Sequence, residues 1–495
     1  MRGRVFKSLL VSTVGICLLA SACTPSSDSE LSATPSPKSN AVSKPSSTAA
    51  NLPLISEGLD CGVEKPLGGI APGSGPNDLE RYTIDTRLYP NAICNDGSAG
   101  VFYFRPAANP ANDKKWVIQL QGGGGCNTAQ TCANRWCSIG TSFSMTQMSS
   151  TNSPEKTPAV GIFARKSEDP SLPQENPIGD YNQVMIKYCS SDTWRGTLSD
   201  VSISTLNPDS GAEARFRIHF QGQGIYQAVL SLLKKTHGFS INHEGTGKTL
   251  SDLDEAEELI FAGASAGGAG VSFNLDSLTS TLKATNPNIT VLGLIDSKFA
   301  PEGYDLDYSA STLCPDAQTC TAEEYGTYDY GLQQNFWRAT QEASCETFHA
   351  NDGEKWKCAS DTHILLNHIS TPFFVRQGLS DVIISEGLVD TDVRMPNGAD
   401  YDQLNFRAQV RNHFLNDFPG MMTQSEEATT LTESPGGFAP ICSKHETLRS
   451  TFDTHQVTIT DNGTSYSMFD VWKNWRSKLP NSIVTHKNTS SSRCQ

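Results

Sequence analysis

No Cys-x-x-Cys pair and no His-x-x-x-His spacing occurs in the 495 residues, so the local ligand patterns that seat zinc on a turn or a helix face are missing and no metal is expected. Positive charge is scarce as well. Lys and Arg number 38 against 53 Asp and Glu, a net charge of −15 with a pI near 5.1. That balance argues against nucleic acid, anionic membrane surfaces and densely charged polyanions as partners. Beyond the first residues no apolar run approaches the roughly 20 positions a membrane-spanning helix needs, and no internal repeat is found. The acidic run Asp252 to Glu258 reads as a solvated face rather than a metal site.

What is present begins with a leader. Arg2 and Arg4 precede an apolar stretch from Leu9 to Ala20, followed by Ala20-Ser21-Ala22-Cys23. This reads as a signal peptide over residues 1–22, to be set aside before any fold reasoning. Its end fits an Ala-x-Ala release site or a lipobox with Cys23 as the lipidated first residue of the mature chain. The lipobox is preferred, because small residues precede Cys23 and Leu18 and Leu19 lie just upstream. Residues 23–57 form a Ser/Thr/Pro-rich tether with too little apolar surface to fold. The expectation is an exported bacterial envelope lipoprotein that meets the membrane only through its lipid anchor, with plain secretion as the alternative.

Residues 58–495 are then the catalytic domain. Of the 14 cysteines, Cys17 and Cys23 fall in the leader region and twelve remain. An even number in an exported chain points to disulfides, and Cys126 with Cys132, Cys314 with Cys320 and Cys345 with Cys358 would close short loops. Strand patterns occur at Trp116 to Gln121, Asn182 to Lys187, Leu259 to Ala262, Val291 to Ile295 and Phe373 to Val375, with an amphipathic helix over Ile225 to Lys235. Strands alternating with helices predict an α/β fold with a mostly parallel sheet covered on both faces, its chemistry at the carboxyl ends of the strands.

Gly263-Ala264-Ser265-Ala266-Gly267 follows the Leu259 to Ala262 strand directly. A serine nucleophile needs a sharp strand-to-helix turn that lifts its hydroxyl clear of the backbone, and small residues two before and two after let that turn close. In α/β-hydrolases the partners follow in the order acid, then histidine. Asp381, in Gln377-Gly378-Leu379-Ser380-Asp381 after a late strand, is the expected acid; Asp390 and Asp392 lie farther from the strand end. His445, in Cys442-Ser443-Lys444-His445-Glu446, is the expected histidine. His413 and His455 read as helix-surface and strand positions.

The chain resembles the pectin acetylesterase family, which also contains the Notum-type carboxylesterases. The resemblance rests on six colinear segments: Leu120-Gln121-Gly122-Gly123-Gly124-Gly125-Cys126-Asn127-Thr128, Tyr188-Cys189-Ser190-Ser191-Asp192-Thr193-Trp194-Arg195-Gly196, Phe220-Gln221-Gly222, the Ser265 elbow through Gly268, Thr371-Pro372-Phe373-Phe374 before Asp381, and Cys442 to Glu446. They run in family order across about residues 60–480. The resemblance implies an α/β-hydrolase fold with disulfide-bonded loop insertions and a Ser265, His445, Asp381 triad. Gly123, Gly124 and Ala266 are assigned to the oxyanion hole, and no metal or organic cofactor is implied. The four glycines lack the Lys-Ser/Thr ending and the Gly-x-Gly-x-x-Gly spacing of a phosphate loop.

Two departures stand out. Plant members carry Trp before the cysteine of the glycine loop, where this chain has Gly125, which removes an apolar wall near the acyl position. The stretch from Tyr304 to Thr362, with four cysteines, falls where such folds insert a cap. The expected activity is removal of a short acyl group, acetyl foremost, from carbohydrate O-esters such as those of an acetylated polysaccharide. The alternatives are a lipase-like or protein-deacylating esterase and a non-catalytic carbohydrate-binding lipoprotein.

Overall fold

Seven strands of the central sheet run parallel because between successive members the chain crosses back to the same end of the sheet, and their near-continuous apolar sequences reflect burial on both faces. The computed structural model describes residues 59–61, 70–138, 147–234, 252–315, 319–421 and 434–486, so the leader, Cys23 and the whole tether lie outside the described residues. The strands in chain order are β1 (Leu79–Thr83), β2 (Val101–Arg105), β3 (Lys115–Leu120), β4 (Lys156–Thr157), β5 (Asn182–Ile186), β6 (Leu198–Leu206), β7 (Glu213–Phe220), β8 (Glu258–Ala264), β9 (Thr290–Asp296), β10 (Phe373–Arg376), β11 (Gly436–Ala439), β12 (Thr458–Asp461), β13 (Thr464–Ser467) and β14 (Ile483–Thr485). Ten of them form one sheet in the order β14-β11-β10-β9-β8-β3-β5-β2-β1-β4. The span from β14 to β5 is parallel, and β2, β1 and β4 extend it antiparallel. This is the α/β-hydrolase architecture expected from the pattern of segments.

Successive strand residues feed opposite faces. Ile118 and Phe261 join a core cluster with Val271 and Leu275 of the helix Ala266–Thr285. Val117 and Ile260 point the other way, into a cluster with Phe374, Trp472 and Trp475 under the helix Met468–Arg476. The expected helix over Ile225 to Lys235 is found at Gly222–Leu232, burying Ile225, Ala228 and Val229 as the periodicity asked. His455, read as a strand position, instead ends the short helix Thr451–His455, and His413, read as helix surface, is buried.

Five disulfides join described residues. The three short loops, Cys126–Cys132, Cys314–Cys320 and Cys345–Cys358, are accompanied by Cys61–Cys137 and Cys94–Cys189. Cys442 is also disulfide-bonded, to a partner outside the described residues. Cross-links of this density belong to an oxidising, extracytoplasmic setting. Among the described residues no helix is long and apolar enough to cross a membrane.

Register fixes what stands at the carboxyl end of the sheet. Leu120 pairs with Gly263, Ala264 with Asp296, and Asp296 with Arg376. The glycine loop after β3, Ser265 after β8, Asp296 at the end of β9 and Asp381 beyond β10 are thereby brought to one level.

Candidate active site

Ser265 sits between β8 and the helix Ala266–Thr285 with φ 54° and ψ −122°, a conformation that costs a non-glycine residue on the order of 1–3 kcal/mol. Its N–H donates to Asp296 O at 2.9 Å. The flanking glycines are steric necessities. A Cβ on Gly263 would lie 2.1 Å from Gly267 O, and a Cβ on Gly267 would lie 2.1 Å from Leu120 O. The elbow closes only because both positions lack a side chain.

Asp381 caps the helix Val382–Val389, accepting from Ile383 N and Ile384 N, and its two oxygens lie 2.8 and 2.9 Å from His445 Nδ1. Gln377 Nε2 donates to its second oxygen at 3.3 Å. Asp381 is fully buried and the His445 side chain is 9 % exposed. Asp390 closes the far end of the same helix, so it stands apart from His445. Burial alone would lower the His445 pKa, but the hydrogen bond and charge of Asp381, with Glu446 and Asp296 nearby, raise it above the ordinary imidazole value. His445 Nε2 has no hydrogen-bond partner among the described residues. It and Ser265 border the same cavity of about 360 Å³. The hydroxyl-to-imidazole bond is therefore open in this conformation, as is common before substrate binds.

Gly124, Gly125 and Ala266 also border that cavity, while Gly123 does not line it. The carbonyls of the loop are clamped: Arg135 Nη2 donates to Gly123 O at 2.6 Å and the Tyr188 hydroxyl to Gly124 O at 2.7 Å. A planar peptide holds its N–H opposite its C=O, so these bonds fix the directions of the Gly124 and Gly125 N–H groups. The second loop is strained, with Ser191, Thr193 and Trp194 at φ 54°, 52° and 66°. Buried Asp192 holds it, accepting from Ser190 Oγ, Trp194 N and Gly222 N.

The insertion after β9 forms the opposite wall. Asp329, Gln333, Trp337 and Asp361 line the cavity, as do Arg195 and Lys298. Lys298 Nζ pairs with Asp361 Oδ2 at 3.0 Å. The Arg195 guanidinium lies 3.7 Å from the Phe273 ring centre and donates to Gln333. Burial raises the Asp329 pKa. The apolar wall expected to be missing at Gly125 is supplied from elsewhere: Trp337 stands beside that position, with Nε1 donating to Cys126 O at 2.7 Å.

Residues 76–494 match the family model described as Pectinacetylesterase. The chain belongs to the pectinacetylesterase family. Relatives include palmitoleoyl-protein carboxylesterase notum2 of Xenopus laevis, 27% identical over 390 residues, covering 77% of this chain and 66% of that protein. Palmitoleoyl-protein carboxylesterase NOTUM of Homo sapiens is 28% identical over 398 residues, covering 79% and 66%. The chain thus spans slightly less than two thirds of the length of these curated relatives. The crystal structure of the Wnt deacylase Notum from Drosophila superposes with a TM-score of 0.55 at 23% identity, over 84% of this chain and 97% of that one. That likeness is one of fold.

In this member of the pectinacetylesterase family, sequence reasoning missed the group that anchors the histidine loop. Asp296, fully buried at the end of β9, accepts from Thr447 N, Thr447 Oγ1 and Leu448 N, and is paired with buried Arg376 at 3.4 Å. An acid ending the apolar strand β9, beside the elbow strand, was the available signal. Glu446 was missed too. Burial above all, with the charges of Asp296 and Asp381, pushes its carboxyl up to about 7 despite the opposing effect of His445.

Proposed function

We propose that the chain is a carboxylic ester hydrolase that removes a short acyl group, acetyl foremost, from an oxygen of a carbohydrate through an acyl-enzyme. The observation that carries this reading is the shared cavity of Ser265 and His445, with Asp381 gripping the far nitrogen of the imidazole. Membership of the pectinacetylesterase family supports ester hydrolysis. In the proposed mechanism Ser265 attacks the ester carbonyl as His445 Nε2 takes its proton, and Asp381 keeps Nδ1 protonated and stabilises the imidazolium. The backbone N–H groups of Gly124 and Ala266 receive the developing oxyanion, and Gly123, which does not line the cavity, drops out of the expected set. His445 then protonates the leaving alcohol, and water repeats the sequence to release the acid.

The character of the cavity supports a short acyl group on a polar alcohol. A long chain gains about 0.8 kcal/mol per buried CH₂ only in an apolar tunnel, whereas this wall carries Arg195, Lys298, Asp329 and Asp361. Such groups suit sugar hydroxyls. The second reading is deacylation of a lipid-modified protein, the activity named for the relatives, and Ile383 and Ile384 on the cavity rim favour it. Nitrophenyl esters of increasing chain length, alongside acetate release from acetylated polysaccharide, separate the two. We expect rates to fall from acetyl to octanoyl; a rate that climbs through octanoyl favours the second reading.

The disulfides support export, and the Ala20-Ser21-Ala22-Cys23 segment supports a lipid anchor on Cys23 in the bacterial envelope. Fatty-acid labelling of wild type and Cys23→Ser tests the anchor, which is wrong if both incorporate label equally.

A further inference from the structure

The insertion gathers three buried imidazoles that the proposed ester chemistry does not use. His349 ends the helix Ala343–Phe348, His363 lies within the helix Asp361–Asn367, and His368 ends that second helix. All three are at most 1 % exposed. Their Nε2 atoms converge: His349 to His363 at 3.2 Å, and His368 to His363 at 3.3 Å. A ring nitrogen offers one proton or one lone pair, so His363 Nε2 must divide its single site between two neighbours. Neutral rings gain little from that arrangement. Around a cation it is ordinary: two nitrogens each about 2.0–2.1 Å from a tetrahedral zinc stand about 3.3–3.4 Å apart.

Two of the outer nitrogens are engaged by the protein, while His368 Nδ1 has no hydrogen-bond partner among the described residues. His349 Nδ1 lies 2.7 Å from Asp352 Oδ2, the carboxylate–imidazole arrangement that orients a metal ligand and fixes its tautomer. His363 Nδ1 faces buried Glu302 at 3.9 Å. It also accepts from Asn367 Nδ2 at 3.1 Å, so metal on Nε2 requires the Nδ1–H tautomer and a turn of that amide. Cys345 Sγ lies within 4.8 Å of the same atoms but is bonded to Cys358, so it is no thiolate ligand.

We propose that His349, His363 and His368 bind one zinc-class divalent metal ion through Nε2, with a water or small anion completing the shell. The expectation of no metal rested on ligands close together along one helix or turn; here two helices and the Cys345–Cys358 bridge bring them together through the fold. The role is structural. The second helix begins at Asp361, in the cavity wall, so the ion would brace the insertion against the sheet.

The test uses the purified full chain. After chelation, exposure to zinc and gel filtration, mass spectrometry of the metal should find about one equivalent per chain, and zinc should raise the melting temperature of the chelated protein by several degrees. Cobalt(II) added to chelated wild type should give the intense visible bands of a low-coordinate nitrogen site. His363→Ala and His368→Gln should each retain less than roughly a tenth of an equivalent. The wild-type cobalt spectrum decides the matter if those variants fail to fold. Wild type that binds no zinc with its fold intact, only weak octahedral cobalt bands, or folded variants that keep a full equivalent would each overturn the site.

Discussion

A Cβ built on Gly125 stands 3.7 Å from Cζ2 of Trp337, so the indole of the insertion flanks the glycine loop at that position. The same Cβ would also meet Ser191 O at 3.1 Å, which is tight. Trp337 therefore supplies an apolar wall of the cavity beside Gly125. Gly125→Trp should overpack the site and cost about 1–3 kcal/mol in denaturant melts, with a fall in kcat/KM on short esters. Combined with Trp337→Ala it should recover much of both. Additive effects of the two changes would mean that the residues do not substitute for one another.

The acid limb of the pH profile reports His445. The base works only when neutral, and its pKa is raised above 6.5, so kcat/KM should begin to fall above that pH and drop about tenfold per unit below the limb. Asp381→Asn should cost on the order of a thousandfold or more by leaving the ring in the wrong tautomer. Asp390→Asn, at the far end of the helix that Asp381 opens, should stay near wild type. Greater damage from the Asp390 change would transfer the acid role away from Asp381.

Glu446 ties stability to pH in the opposite sense to an ordinary carboxylate. Its folded pKa of about 7 exceeds the usual 4.5, so the folded state holds more protons between those values and stability falls as pH rises through them. Glu446→Gln should therefore raise the melting temperature more at pH 8 than at pH 5. It should also shift the acid limb of His445 to lower pH, since the Glu446 charge helps hold that imidazole protonated. Equal gains at both pH values would show that the carboxyl is not held neutral by its surroundings.

The parallel strands β3, β5, β8, β9 and β10 were legible because burial on both faces makes them apolar runs. The order rule for acid and histidine selected Asp381 and His445, which the fold joins. The alternation in β7, where Ala214, Phe216, Ile218 and Phe220 face inward, was equally readable but went unused. Other features were not local in the sequence at all. Trp337 beside Gly125, Asp296 beneath the histidine loop and the convergence of His349 on His363 and His368 depend on sheet register and on how the insertion docks. Neither spacing nor composition encodes such contacts.

Covalent trapping tests the central claim most directly. A fluorophosphonate probe should label wild type stoichiometrically, and peptide mass analysis should place the adduct on Ser265. Ser265→Ala should lose both the label and on the order of a thousandfold or more of the activity on nitrophenyl acetate while melting like wild type. An adduct on another residue, or more than roughly a tenth of the wild-type rate in Ser265→Ala, would contradict the account.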